Sequence, residues 1–276
     1  MDGPTITVVT PCLNARDTVE EALASVRNQD YPHVEHVVVD GGSTDGTLEV
    51  LERAEGIRYV SEPDRGLSHA MNKGVAMASG DVVGWLNADD LYLPGALRAI
   101  GEAFAAAPQA EWATGRCLII DEAGHEIRRG ATAYKNFFLR RYSHALYLTQ
   151  NFISAPSTFA RREAYQRHPF REDYAMSMDY DVFLQLAQAG DPIVLDRDIA
   201  CFRMMEGTLS MSSFERQFTE HAEQARNHGA GHPIPVAVNQ AMSRLIVLVY
   251  RALRAVRQLR SRVPARGASS RSTSSQ

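Results

Sequence analysis

Along the first ninety residues, short apolar runs alternate with segments whose apolar positions recur at helical spacing. Ile6–Thr10 predicts a strand, and Val19, Ala22, Leu23 and Val26 place one apolar face on a helix over Thr18–Asn28. Glu35–Asp40 predicts a second strand, Thr47–Arg53 a short helix, Ile57–Ser61 a third strand, Leu67–Ala78 a helix and Val82–Leu86 a fourth strand. Four apolar strands separated by helices predict an α/β fold of Rossmann-like topology, with a parallel sheet covered by helices on both faces. Further on, Pro94–Ala107 predicts a helix, Trp112–Asp121 a strand, Asn151–Arg161 an extended segment or strand, and Asp179-Tyr180-Asp181 the opening of another helix. No internal repeat is apparent.

Carboxylates recur where the strands end. Asp40 closes the second strand, Asp64 follows the third, and Asp89-Asp90 follow the fourth. A single Asp there is ordinary turn or cap chemistry. Several delivered to one edge of an α/β sheet lie where such sheets bind their ligands. Hard oxygen ligands suit Mg2+ or Mn2+ carrying a phosphorylated substrate. The first strand runs into Pro11-Cys12-Leu13-Asn14-Ala15-Arg16, which excludes a GxGxxG cradle, and no GxxxxGK[ST] loop is present. Phosphates must therefore be held by other means, and a metal on Asp89 and Asp90 would supply them. Arg65, beside Asp64, is a candidate phosphate partner.

Composition narrows the class. The chain has 276 residues, 45% of them apolar, enough for a sizeable core, and a net charge of −4 that gives no support to nucleic acid as a partner. Cys12, Cys117 and Cys201 lie far apart without a CxxC pair, so neither a disulfide framework nor a zinc site is expected. The amino terminus lacks the pattern of a signal peptide, and no uninterrupted apolar run reaches the roughly 18 residues of a membrane span.

The last acidic residue is Glu223, and from Pro235 onward the chain is Arg-rich. Leu245, Leu248, Val249, Ala252, Val256, Leu259 and Val263 share one helical face, with arginines opposite or at its margins. That pattern fits a helix lying on an anionic membrane surface, and equally one packed on the body of the protein. The aromatic and basic stretch Tyr134–Gln150 also has two readings, a sugar-stacking surface or a half-buried helix with an Arg fringe. The predicted organisation is a main domain over residues 1–230, a basic amphipathic helix over 231–263 and a disordered tail over 264–276.

TVVTPCLNA, VVVDGGSTDGT, SEPDRGLSHAMNKG, ASGDVVGWLNADD and MSMDYDVFLQLAQAG, in that order across residues 5 to 210, together resemble the family 2 glycosyltransferases. The resemblance implies a GT-A fold and an inverting sugar transfer. It implies nucleotide contacts from Pro11, Asn14, Asp40, Asp64, Arg65 and Asp89, with Asp40 on the base. It also implies a metal at Asp89 and Asp90, and Asp179 as the base that activates the acceptor, with Asp181 in reserve. In two places the chain departs from the family pattern. Asn87 stands where a DxD motif has its first carboxylate, and Met205 where some members carry a metal-binding His.

The expected function is transfer of a sugar from a nucleoside-diphosphate donor, a UDP-sugar first, to a hydroxyl of a glycan or lipid-linked acceptor in polysaccharide or glycolipid biosynthesis. The expected location is the cytoplasm, at the inner face of the plasma membrane if the tail helix lies on lipid. One rival is a sugar-nucleotide nucleotidyltransferase, which would want a glycine- and Lys/Arg-rich first loop. The other is a non-catalytic glycan- or membrane-binding protein of the same fold.

Overall fold

β1 (Ile6–Cys12) is buried along its whole length and lies between β2 (Val34–Asp40) and β4 (Val82–Trp85), both parallel to it. β3 (Arg58–Ser61) extends the sheet beyond β2, again in parallel. On the other side β7 (Thr158–Arg161) runs antiparallel to β4 and to β6 (Trp112–Ile120). β8 (Ile193–Arg203) is parallel to β6, and the two-residue β5 (Leu91–Tyr92) closes that edge in antiparallel fashion. These observations come from a computed structural model that describes residues 3–205 and 214–261, without the side chains of 214 and 253–261.

The α/β fold and the four leading parallel strands are as expected, and the sheet as a whole is mixed, with antiparallel pairs where β7 and β5 join it. Its described order is β3-β2-β1-β4-β7-β6-β8-β5. Antiparallel pairing begins where β7 arrives, entered through an extended segment and a 3-10 turn at Ala155–Ser157. β8 has no clean apolar alternation, since Asp196, Arg197 and Asp198 interrupt it, and it escapes a periodicity search.

Helices cover both faces: α1 (Val19–Arg27), α2 (Thr47–Arg53), α3 (Leu67–Met77) and α4 (Ala96–Ala106) belong to the first half. α5 (Arg129–Leu139), α6 (His144–Thr149), α7 (Arg162–Arg167), α8 (Met178–Ala189), α9 (Phe214–His228) and α10 (Pro233–Ser261) follow. Successive strand residues feed opposite cores. Val9, Val83 and Trp85 join Met71, Trp112 and Phe183 on one side, whereas Ile6, Val8 and Val82 join Ile100, Phe104 and Phe159 on the other.

α10 reverses the usual amphipathic arrangement. Its buried edge is polar: Asn239 Nδ2 donates to the Leu148 carbonyl at 3.0 Å and lies 3.3 Å from the Tyr180 hydroxyl, and Ser243 is buried beside it. Leu245 and Leu248 are 62% and 61% exposed. Of the two readings of this stripe, packing on the body is therefore not met by its described residues. Pro233–Ala252 is also long and apolar enough to cross a membrane by length and composition, at mean hydropathy 1.2, although Asn239, Gln240, Ser243 and Arg244 break any continuous apolar run. The predicted disordered segment 264–276 lies outside the described residues.

A Cβ on Gly84, in the middle of β4, would come within 2.3 Å of the Phe159 ring and 2.8 Å of the Tyr92 hydroxyl. Those rings are stacked at 5.5 Å between centroids and leave no room to move apart. Gly84→Ala should therefore lower the free energy of unfolding by about 1–3 kcal/mol, the usual cost of overpacking, as read by urea denaturation.

Candidate active site

The chain leaves β1 for β2 on one side and returns to β4 on the other. A crevice therefore opens outside the carboxyl ends of β1 and β4, at the switch in strand order. The loops after β1 and β2 form its first wall and are stapled together. Asn14 donates its N–H to Ser43 Oγ at 2.8 Å and accepts from the Thr44 N–H at 3.0 Å through Oδ1. Asn14 holds φ +51°, a conformation Asn tolerates better than most residues. Pro11 is buried within β1, in register with Val39.

Asp40 is fully buried. It accepts from the backbone N–H groups of Gly42 and Ser43 at 3.1 and 3.0 Å, from the Ser61 hydroxyl at 2.6 Å, from the Ser43 hydroxyl and from the Cys12 thiol at 3.4 Å. Burial alone would raise its pKa, but these bonds outweigh it and the carboxyl titrates below its ordinary value. In this conformation Asp40 organises the β2 turn, and both its oxygens are engaged there. Asp64 lies against the backbone of Gly41, where a Cβ would sit 2.7 Å from Asp64 Oδ2. It also accepts the Gly66 N–H at 2.7 Å. Arg65 turns to Glu172, in a bidentate pair with both distances at 2.8 Å, rather than standing unpaired as a phosphate ligand.

The Asp-Asp pair at the end of β4 divides its roles. Asp90 is fully buried, accepting the Arg203 N–H at 2.9 Å on one oxygen and Asn87 Nδ2 at 2.9 Å on the other. Asn87 in turn accepts from Trp85 Nε1 at 2.7 Å, so the residue at the first DxD position is committed internally. Burial, reinforced by the neighbouring Asp89, pushes the Asp90 carboxyl well above the usual range. Asp89 is only partly covered, and burial raises its pKa as well, with the Arg203 charge acting in the opposite sense.

Arg203, which the sequence did not single out, is the anchor behind this pair. Its guanidinium is 3% exposed and donates to the carbonyls of Asp89 at 2.9 Å and Glu122 at 2.8 Å and to Glu21 Oε2 at 2.6 Å. A buried arginine with a fork of this kind joins the ends of β4, β6 and β8 to α1. The signal available beforehand was an Arg at the end of an apolar strand, Ile199-Ala200-Cys201-Phe202, but β8 was itself not predicted.

The opposite wall comes from the second half of the chain. Asp179 is the second residue of α8, so the cap position falls to Ser177 and not to Asp179. Its carboxylate is partly covered and takes a long hydrogen bond from Asn151 Nδ2 at 3.4 Å. Burial raises its pKa, while the ammonium of Lys135 works against that rise. Lys135, on α5, donates to Ser154 Oγ at 3.1 Å and is itself shifted down by burial. Nearby His221 is held neutral by burial and by the Lys135 charge, its pKa lowered to about 3. Asp181 is fully buried, its oxygens engaged by His228 Nε2 at 2.7 Å and Gln185 Nε2 at 2.8 Å.

α9 fixes the approach to Asp179. The Glu220 carboxylate accepts from the Ala175 and Met176 N–H groups at 3.3 and 3.0 Å and from the Ser177 hydroxyl at 2.9 Å. Gln224 donates to the Ser177 carbonyl at 3.0 Å. Neither residue was legible as functional, because nothing local in a polar helix announces what its side chains reach.

Comparison with known proteins gives the family. The model of glycosyl transferase family 2 matches residues 7–168, and the chain belongs to that family. The O-antigen biosynthesis protein RfbC of Myxococcus xanthus is 31% identical over 197 residues, 69% of this chain and 15% of its own length. Among solved structures, the Pyrobaculum calidifontis mannosyltransferase PcManGT, in complex with GDP-Man and Mn2+, superposes with a TM-score of 0.65 at 21% identity, covering 95% of this chain and 81% of its own. S. aureus TarS 1–349, in complex with UDP-GlcNAc, gives 0.64 at 19% identity, over 88% and 70% of the two chains. These likenesses establish the GT-A fold. The chain spans 36% of the length of each curated relative matched at 40–42% identity.

Among the described residues no cluster of three or more His, Cys, Asp or Glu side chains forms a metal cage. A Mg2+ or Mn2+ ion needs no such cage when substrate phosphates and water fill most of its shell. Asp89, a desolvated carboxylate at the crevice with raised proton affinity, fits that single-carboxylate role, whereas Asn87 and Asp90 are occupied internally.

Arg203→Lys keeps the charge but loses the planar fork, leaving buried carbonyls unpaired. We expect unfolding free energy to fall by about 1–3 kcal/mol and donor binding to weaken with it, as read by chemical denaturation and by titration with UDP and Mn2+.

Proposed function

We propose that this chain transfers a sugar, with inversion, from a nucleoside-diphosphate donor to a hydroxyl of a glycan or lipid-linked acceptor in polysaccharide or glycolipid biosynthesis. A UDP-sugar is the first donor to test, and the relatives that bind UDP-GlcNAc and GDP-Man support a nucleotide sugar in general. The observation that carries the reading is the sorting of the acidic pairs. Asp90 and Asp181 are spent on internal hydrogen bonds, which leaves Asp89 at the donor crevice and Asp179 on the opposite wall as partly covered carboxylates with raised proton affinity.

Pro11, Asn14 and Asp64 would line the nucleoside end of the crevice. Asp40 would act there through the turn it organises, or directly once the Ser43 hydroxyl yields. Arg65 would reach a phosphate by exchanging its exposed pair with Glu172. Asp89 would hold a divalent cation together with the diphosphate, and the cation would neutralise charge growing on the departing nucleoside diphosphate. Asp179 would take the proton of the acceptor hydroxyl as that oxygen attacks the anomeric carbon and the bond to the diphosphate breaks on the opposite face. Its raised pKa makes it a stronger base than a solvated Asp while ionised. The Lys135 ammonium favours that ionised form.

Separate substitutions test the assignment. Asp179→Asn should leave UDP and Mn2+ binding near normal while lowering turnover by roughly 10²–10⁴-fold, the usual contribution of a general base. Asp89→Ala should remove the effect of Mn2+ on UDP affinity. Near-normal turnover in Asp179→Asn, or an unchanged metal effect in Asp89→Ala, would defeat the corresponding role.

The exposed stripe of α10, flanked by Arg244 and Arg251, supports attachment to the inner face of the plasma membrane by 231–263 as an element distinct from the catalytic domain over 1–230. Replacing Leu245, Leu248 and Val249 with Gln leaves the Asn239 and Ser243 contacts untouched. The triple variant should keep its melting temperature and lose co-sedimentation with vesicles containing phosphatidylglycerol. Undiminished sedimentation would refute the membrane role of this face.

A further inference from the structure

Beyond the donor crevice, α5 presents a surface that the reading above does not use. Tyr134 and Phe137, one turn apart, are 48% and 50% exposed. Phe138 lies behind them, 4.9 Å from the Tyr134 ring and 5.3 Å from the Phe137 ring, and anchors the helix by stacking on buried Phe152. The Arg141 guanidinium lies 4.0 Å from the centre of the Phe137 ring. An aromatic face edged by a cation is thus held rigidly in solvent at little further entropy cost.

Charge along this helix is of one sign. From Arg128 to Arg141 the chain carries Arg128, Arg129, Lys135, Arg140 and Arg141 and no acidic residue. Arg129 pairs with Glu126 and Arg140 with Asp196, whereas Arg128 and Arg141 form no ion pair among the described residues. The surface is also joined to the reaction centre. The Tyr134 hydroxyl donates to Gln150 Oε1, and the next residue, Asn151, is the one that donates to Asp179. Lys135, on the inward side of the same turn, reaches Ser154 in the same segment.

We propose that Tyr134, Phe137 and Arg141 form an acceptor subsite for a glycan chain bearing anionic groups, sugar rings stacking on the aromatic pair while carboxylates or phosphates pair with Arg141. Aromatic rings take the apolar face of a sugar, and a guanidinium fork matches either anion. A neutral acceptor would use the rings and leave the cation idle. The proposal rests on Asp179 marking the acceptor side.

Binding to the full chain, by isothermal titration at low salt, tests it with three probes: a chondroitin hexasaccharide, a phosphodiester-linked hexose hexasaccharide and neutral cellohexaose. At least one acidic probe should bind about tenfold or more tightly than cellohexaose. Which acidic probe wins tells carboxylate from phosphate. Phe137→Ala should weaken the preferred probe about three- to tenfold, and Arg141→Gln should bring acidic and neutral probes to the same affinity. Equal affinities in the unaltered protein, or unchanged affinities in both variants, overturn the subsite. So does Phe137→Ala acting on vesicle sedimentation but not on any oligosaccharide. UDP titration of the same samples separates the two readings: variants that bind UDP normally yet fail as predicted sink only the subsite, whereas unaltered protein that binds acidic probes but no UDP sinks the donor reading.

Discussion

The buried guanidinium of Arg203 is the constraint on which the donor side depends. An arginine without solvent must find acceptors for its donors, and here they are main-chain carbonyls of the β4 and β6 loops and the Glu21 carboxylate on α1. The backbone of the same residue donates to Asp90. One residue therefore fixes where the β4 loop ends and which of the two adjacent carboxylates turns inward. With Asp90 drawn inside, chain geometry leaves Asp89 at the crevice. The positive charge of Arg203 also lowers the proton affinity of both carboxyls, against a burial effect that raises it.

The acceptor side solves the same problem with helices. A helix N-terminus such as that of α8 has unpaired N–H groups, and the segment leading into it has others. Glu220 and Gln224 of α9 meet the Ala175–Ser177 approach, and on the far side Asn72 of α3 exchanges two hydrogen bonds with the backbone of Phe170, at 2.8 and 2.9 Å. Asp179 thus stands on a helix start clamped from two directions. The first half of the chain takes part in holding the second: Asn72 of α3 positions the loop that precedes the candidate base.

How much of this was readable beforehand follows the range of the interactions involved. Strands β1 to β4 and the helices between them are local patterns, and Thr47–Arg53 was predicted with the boundaries observed. Strand-end carboxylates were readable for the same reason, since a strand followed by Asp announces itself. The division of labour within Asp89-Asp90 and within Asp179-Asp181 was not, because it depends on Arg203 and His228, 113 and 47 residues away in the chain. The pairing of Arg65 with Glu172 was not readable either, because the two lie 107 residues apart. For α10 the stripe alone left two readings open, because either a lipid surface or the body of the protein could cover it; the residues buried on this helix, among those described, are Asn239 and Ser243.

Burial of these carboxylates has opposite uses at the two walls. A desolvated carboxylate is costly to ionise, and the cost is relieved either by a cation or by a proton. At Asp89 the relief supported by the geometry is a cation shared with the donor's diphosphate, so donor binding and ionisation would favour each other. At Asp179 the same desolvation raises proton affinity and Lys135 opposes that rise, which in the proposed transfer would give a base that is strong yet still ionised. Each carboxyl has one cation acting on it, the Arg203 guanidinium at Asp89 and the Lys135 ammonium at Asp179, and at both positions burial outweighs that cation, so proton affinity stays raised.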